Sequence, residues 1–437
     1  MHAAAMSGLQ RHQPAGLSTP AASAGPGAVR DLRPRFLRAD GASVATIGPF
    51  AGKDSTVDPI GLATVLRLGY ALGTRTVLAG VSTDAVVPDG FADARAPSQD
   101  ELVELVLTAT RDRLAGTSPT VLLSGGRDSR LILLSMHQIG ARPSAILTLA
   151  QPGATSDCAI AHRIAGAIGE PISSVVPSAF DGVRELDRHE RQSFQSLEHG
   201  WFVDLAARVR AGGGPVTDGI GAGVLSTGSL LEAEPIAHWR AGEIAALFDW
   251  TASHGAYASE AFLAAAAAEG FPIAPREAVL AEFESVLASL ANTPNPLGMY
   301  SLLHWTRRGI SASAYGLLPH DRVATPLYDE RLCRAVAAIP MDEARATDWR
   351  ETVLARIDRT GVPFATGEHA MLPRWMRAPV RTVRSRLAWS RFVADLPRPL
   401  ANLARVADRS AGRQRVFDRS ALGLLAALDR LVGFTGR

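Results

Sequence analysis

From about residue 100 onward the apolar positions of this chain fall into two alternating rhythms. Thr120 to Leu123, Ala145 to Leu149 and Ile172 to Val176 are short β-favouring runs that predict buried strands. The stretches around them carry helical spacing. Gln99 to Ala115 sets Leu102, Val103, Leu105, Val106, Ala109 and Leu114 behind an acidic first turn, which predicts an amphipathic helix. Leu131, Ile132 and Leu134, continuing through Ser135 to Ile139, predict a second helix. Asp157 to Ile168 predicts a third, ending at Gly169, and Trp201 to Ala211 a fourth, stopped by Gly212-Gly213-Gly214-Pro215. Val216-Thr217 then enters a second glycine-rich loop. Such alternation argues for an α/β fold whose parallel sheet is covered on both faces, with ligands at the carboxyl ends of its strands. Upstream, Ser43 to Ile47 and Thr76 to Val81 predict strands, and Pro59 to Leu72 a helix ending near Gly73. From about residue 240 the pattern turns helical and Ala-rich, as in Ser259 to Glu269 and Arg276 to Ala291, so a helical C-terminal part is expected.

Composition narrows the picture. With 437 residues the chain can hold two domains, or one large domain with an appendage. Residues 1–30 are rich in Ala, Gly, Ser and Pro without a secretory pattern, and predict a disordered segment in which Met6 could be a second start. No apolar run reaches the length of a membrane span, and Cys158 and Cys333 have no metal spacing; both read as core packing in a reducing cytoplasm. A net charge of +2 makes no global case for nucleic acid. Lys53 is the only lysine. From Arg374 onward fourteen arginines face four acidic residues, which predicts a basic helical tail over 381–437 with a solvated face.

The turn Ser124-Gly125-Gly126-Arg127-Asp128-Ser129 carries the chemistry. A buried strand ending in Leu122-Leu123, two glycines and a helix start together bring unpaired N–H groups and a positive dipole end to one point, an anion site. Ser124 and Ser129 add hydroxyls, and Asp128 is a carboxylate able to hold a divalent cation against phosphate.

The pattern Ser-Gly-Gly-x-Asp-Ser resembles the pyrophosphate loop of the ATP pyrophosphatase superfamily, whose members cleave ATP to AMP and pyrophosphate. No Gly-Lys-Ser/Thr follows, so it is not a Walker loop. Further segments resemble one family in it, the synthetase domain of asparagine synthetase and its relatives. They are Ser156-Asp157 with Ala161, Arg163 and Ala165, the loop Asp218-Gly219-x-Gly221, and Thr325-Pro326-Leu327-Tyr328-Asp329. Leu66-Arg67-Leu68-Gly69-Tyr70 with Thr76, Gly80-Val81 and Pro88-x-Gly90 is similar to the end of that family's glutaminase domain. The resemblance spans roughly residues 55 to 380 on short motifs. It implies a glutaminase-like remnant at 31–98 and an ATP-binding synthetase domain at 99–380, with a parallel-sheet adenine-nucleotide α-hydrolase-like fold.

For the site, the resemblance implies ATP and magnesium as cofactors. Leu122, Ser124, Gly125, Gly126, Asp128 and Ser129 would hold the pyrophosphate portion, Thr148 and Leu149 would line the adenine pocket, and Asp218, Gly219 and Gly221 would approach the nucleotide. Asp128 would be the magnesium ligand. Three departures stand out. The family's catalytic glutaminase cysteine is missing and the region before residue 120 is too short for that domain, so no glutamine hydrolysis in cis is expected. Ala222-Gly223 stands where the family carries a second metal-binding Asp, and Ile220 where it can carry an acidic or phenolic residue. No lysine follows Lys53, leaving Arg350, Arg356 or Arg359 to supply positive charge as pyrophosphate leaves.

The expected function is an AMP-forming amide ligase that adenylates a small-molecule or peptide carboxylate and passes it to an amine or ammonia, with an amine-supplying partner protein as an option. Asp128, Arg350 and Arg356 are its expected catalytic residues. The alternatives are a catalytically degenerate nucleotide-binding homologue acting as a scaffold or regulator, and a relative that adenylates a nucleic-acid base. His199 reads as packed or capping, His304 and His320 as structural or substrate-lining, and Tyr315 as core packing with substrate contact as the alternative.

Overall fold

The structure is a computed structural model that describes residues 32–52, 54–86, 91, 95–150, 155–198, 200–222, 229–255, 257–364 and 379–434. The expected disordered segment 1–30, Lys53, Pro88, Gly90, His199 and Gly223 lie outside the described residues.

Near the N-terminal side, Phe36–Arg38 (β1), Ser43–Val44 (β2) and Val81–Thr83 (β3) form an antiparallel sheet in the order β2-β1-β3. Two expected strands are displaced here. The strand from Ser43 stops at Val44, and the N–H of Ile47 goes to Ser193 Oγ at 3.0 Å. The strand expected over Thr76 to Val81 begins only at Val81, because Thr76 Oγ1 donates to Leu78 O and Val81 O and ties that stretch into a turn. Between them, Pro59–Leu68 (α1) starts on Asp58, whose carboxylate accepts from the N–H groups of Ile60 and Gly61. It ends one turn earlier than its apolar pattern suggests, at Gly69 with φ 85°.

The α/β unit follows the sequence rhythm closely. Gln99–Leu114 (α2) has a capping box between Ser98 and Glu101. Thr120–Leu122 (β4), Arg127–Gln138 (α3), Ala145–Leu149 (β5), Thr155–Ala167 (α4) and Ile172–Val175 (β6) come next. Gly182–Arg191 (α5), Val203–Gly212 (α6) and Val216–Thr217 (β7) complete this half. Far along the chain, Val323–Ala324 (β8) pairs in parallel with β7. The parallel sheet has five strands in the order β6-β5-β4-β7-β8. Chain order therefore runs outward from β4 to β6 on one side and outward from β7 to β8 on the other. The direction reverses between β4 and β7, the place where open parallel sheets bind ligands.

The remainder is helical: Ala233–Ala241 (α7), Ile244–His254 (α8), Glu260–Ala268 (α9) and Arg276–Leu290 (α10). Pro296–Tyr300, the π-type helix Ser301–Ser311 and Ala312–Gly316 then run on continuously. Glu330–Ala337 (α11), Met341–Ala346 (α12) and Trp349–Ile357 (α13) follow β8. Pro379–Ala394 (α14), Arg398–Arg409 (α15) and Gly412–Val432 (α16) form the C-terminal part.

Apolar side chains gather into two cores. One joins the parallel sheet, α2, α3, α10 and α13; the other joins the antiparallel sheet, α9, α15 and α16. Helix α1 contributes Ala63 and Leu68 to the first and Leu62, Val65 and Leu66 to the second, so it is buried nearly all round. The tail is thus part of the packed body. Leu400, Leu403, Ala404 and Ala407 line one face of α15 at helical spacing, each fully buried leucine contributing about 1.5–3 kcal/mol. Among the described residues its arginines lie at the surface, and some pair with acids, as Arg419 does with Asp408 at 2.6 Å. Cys333 is buried as expected, whereas Cys158, on α4, is only half-buried because that face of the helix looks outward. Among the described residues no helix is long and apolar enough to cross a membrane.

Candidate functional site

Strand β4 delivers the glycine loop to the reversal point. Leu123 continues the ladder, its N–H donating to Leu147 O at 2.9 Å, and the chain then leaves the sheet at the exposed Ser124. Helix α3 begins at Arg127 behind Gly126, which offers no side chain to cap it. Its first N–H groups therefore lack the usual side-chain acceptor, the condition for anion binding. The loop is shaped by its two serines. Ser129 Oγ accepts from the N–H of Ser124 at 2.9 Å and lies 3.0 Å from Ser124 Oγ, which accepts from the N–H of Gly126 at 3.2 Å. A Cβ at Gly125 would stand 2.9 Å from Asp157 Cα, so the loop backbone lies flat on the start of α4.

The second loop leaves β7 alongside. A Cβ on Gly219 would fall 2.1 Å from the carbonyl carbon of Asp128 and 2.2 Å from the nitrogen of Ser129. The two loops are thus in backbone contact, and only glycine permits it. Gly221 takes φ +111° and meets the ring of Tyr328, where a Cβ would come within 2.7 Å. Asp218 is buried. Its Oδ1 accepts from Tyr315 Oη at 2.6 Å and from the N–H of Ile220 at 3.0 Å. Burial pushes this carboxyl up to about 6, against the pull of Tyr315 and the Ile220 N–H and with the help of Asp128. Burial likewise pushes the Tyr315 phenol up, so it stays a donor. A carboxyl titrating near neutral pH beside an anion loop is suited to proton exchange. Ile220 is half-buried and packs on the main core.

The third component is helix α13. Asp348 caps it, accepting from the N–H of Arg350 at 3.0 Å. The same carboxylate accepts Arg350 Nε at 2.9 Å and Nη2 at 2.7 Å, a two-point grip. Arg350 Nη1 then donates to Asp128 Oδ1 at 2.5 Å. The Arg350 side chain is only 9% exposed. Burial opposes its charge, but Asp348 and Asp128 outweigh that and hold it firmly cationic. Burial pushes the Asp128 carboxyl up in spite of Arg350. Around them, Arg127 pairs with Glu351 at 2.5 Å, while Arg130 pairs with Asp358 at 3.1 Å and lies 4.6 Å from the centroid of Phe364.

Most of the expected site residues converge. Leu122 and Thr148 are buried at the strand ends, Leu149 is half-buried at the end of β5, and Ser124, Gly125, Gly126, Asp128 and Ser129 form the loop that Asp218, Gly219 and Gly221 abut. Arg350 joins them and Arg356 does not. Arg356 lies six residues farther along α13, about 9 Å at 1.5 Å per residue, with its exposed side chain 3.4 Å from Asp100. Arg359 is exposed beyond the helix end. His304 is buried on the π-type helix, where burial beside Arg308 and Arg307 pushes it down to about 3 and keeps it neutral and structural. Tyr315, read as core packing, is buried but reaches Asp218. Sequence reading missed Asp348, although Asp-x-x-Glu at 348–351 is a helix-start signature.

The expected magnesium site does not fit this arrangement. Oδ1 of Asp128 is occupied by a guanidinium, and Asp218 turns its Oδ1 to Tyr315. Among the described residues no group of three His, Cys, Asp or Glu side chains could hold a metal ion. Compared with known protein families and curated proteins, the chain matches no family model and no curated protein.

Proposed function

We propose that this protein binds the polyphosphate of ATP in the crevice between β4 and β7 and uses it to activate a carboxylate for amide formation. The observation that carries this reading is the backbone contact between the two glycine loops at Gly219 and Asp128, at the point where strand order reverses. The uncapped N–H groups of α3 and the hydroxyls of Ser124 and Ser129 would hold the phosphate oxygens, with Thr148 and Leu149 beside the base. A substrate carboxylate oxygen would attack the α-phosphorus, breaking its bond to pyrophosphate and giving an acyl-adenylate. Positioning and charge neutralisation dominate such a step, and Arg350, held between Asp348 and Asp128, offsets the negative charge that Asp128 would set against phosphate. An amine or ammonia then attacks the acyl carbon and AMP leaves, with Asp218 as the carboxyl placed to take the amine proton. The free thiols Cys158 and Cys333 and the demand for ATP suit a cytoplasmic setting.

A second reading is favoured by one contact. With Asp128 held by Arg350, the protein would bind nucleotide without turning it over and serve as a scaffold for a partner enzyme. The experiment is pyrophosphate release by the full chain with ATP and a panel of carboxylates and amines, alongside calorimetric nucleotide binding. Release above background, lost in Ser129→Ala and retained in Arg356→Ala, supports the ligase. Binding without release supports the scaffold. Neither binding nor release overturns both.

A further inference from the structure

We infer that the nucleotide site, if the reading above is right, works without a divalent ion: Arg350 is a resident cation on the carboxylate that would otherwise hold the metal. An aspartate in the first turn of α3 is a liability beside phosphate, because its charge repels the anion that the helix start attracts. A metal ion removes that liability by bridging the two. Here Arg350 Nη1 donates to Asp128 Oδ1 at 2.5 Å and neutralises it directly.

Three features make the guanidinium a fixture. Asp348 grips it through Nε and Nη2, and that aspartate is itself held as the cap of α13. The side chain is nearly fully buried, so it has no solvated position to swing into. Asp218, the carboxyl of the neighbouring loop, commits its Oδ1 to Tyr315 Oη and the Ile220 N–H. A dication on Asp128 would compete with the guanidinium already on Oδ1 and sit beside a second positive charge. Phosphate oxygens, by contrast, gain from the same guanidinium.

The test is calorimetric binding of ATP, and separately of inorganic pyrophosphate, to the full chain in EDTA and in magnesium chloride. The wild type is expected to bind both ligands in EDTA with affinity within about threefold of that in magnesium. Arg350→Ala should lose about ten- to a hundredfold in EDTA, the scale of one lost charge-assisted contact, and regain most of it in magnesium. Mn²⁺ titrated as a spin probe against the full chain without nucleotide or pyrophosphate should remain free with the wild type and become bound with Arg350→Ala. Wild-type binding that requires magnesium overturns the inference whether or not the variant folds, and leaves nucleotide binding itself standing. No binding under either condition removes the nucleotide site and the inference together.

Discussion

Asp218→Asn isolates the electrostatics of the second loop. In the folded chain its carboxyl is buried and raised from 3.8 to about 6. At about 1.4 kcal/mol per pH unit, that gap corresponds to about 3 kcal/mol between folded and unfolded states. The folded value lies above the unfolded one, so the folded chain holds the proton more tightly. Its contribution is present in full below about pH 4 and is lost as pH rises through about 6. The amide cannot titrate. Tyr315 can still donate to Oδ1 of the asparagine, so the hydrogen bond survives, although one amide N–H pair is left to find partners. Urea unfolding of wild type and variant at about pH 4 and about pH 7.5 separates the two effects. The stability difference should move in favour of the variant by about 2 kcal/mol between those conditions, whatever its offset, since the unfolded carboxyl is already partly ionised at about pH 4. Titrations distant from Asp218 cancel in the difference; that of Asp128, which helps raise the Asp218 carboxyl, is the one neighbour that shifts with it. A difference that does not change with pH would refute the burial argument, and one that moves toward the wild type would reverse it.

Gly219→Ala places a methyl 2.1 Å from a backbone carbon, so the two loops must separate. The expected cost is about 2–4 kcal/mol of stability and a tenfold or greater loss of ATP affinity, whereas Gly214→Ala, with open space around it, should change stability by less than about 0.5 kcal/mol. His189, buried between α5 and α16, is pushed by burial and Arg188 from 6.5 down to about 4. Its folded value is the lower one, so its contribution of about 3 kcal/mol is full above pH 6.5 and lost as pH falls through 4; His189→Gln should flatten that part of a denaturant-measured stability profile.

What could be read from sequence follows a physical divide. Strands β4 and β5 announce themselves because they are largely buried and mostly apolar, and α2 and α3 because their stripes repeat at helical spacing; β6, Ile-Ser-Ser-Val at the sheet edge with both serines exposed, is marked only by its β-branched ends. Strands β7 and β8 are two residues each, too short for any periodicity; their pairing is set by the tertiary position of the segments that carry them. The π-type helix 301–311 is invisible to a 3.6-residue rhythm, and it buries Arg307 and Arg308, which composition would assign to the surface. Arg308 is tolerated there because it donates to the carbonyls of Gly73 and Arg75, backbone acceptors more than 200 residues away. The C-terminal arginines predict a helical tail with a solvated face; what their count does not show is that the apolar face of α15 closes the second core. The glycine loops were legible because close backbone contact excludes every other residue at those positions. Arg350 could be named only as one of several arginines, since helical spacing does not say which turn of α13 faces the loop.

The loop and its electrostatics come from separate parts of the molecule. The path of Ser124 to Ser129 is determined by β4, by its own two serines and by the approach of Gly219, all within the first half of the chain. The charge at Asp128 is determined by an arginine 222 residues later, on a helix whose first turn is fixed by its own capping aspartate. A motif can therefore be intact while the chemistry around it has changed, because sequence identity within the loop does not constrain α13. The converse also holds. Substituting Arg350 alters what neutralises Asp128 without touching the strand, the turn or the helix that shape the loop, so the geometry of phosphate binding and its dependence on a cation are separable in this protein. That separability makes the magnesium dependence of binding, rather than binding alone, the measurement that distinguishes this site from the one its loop resembles.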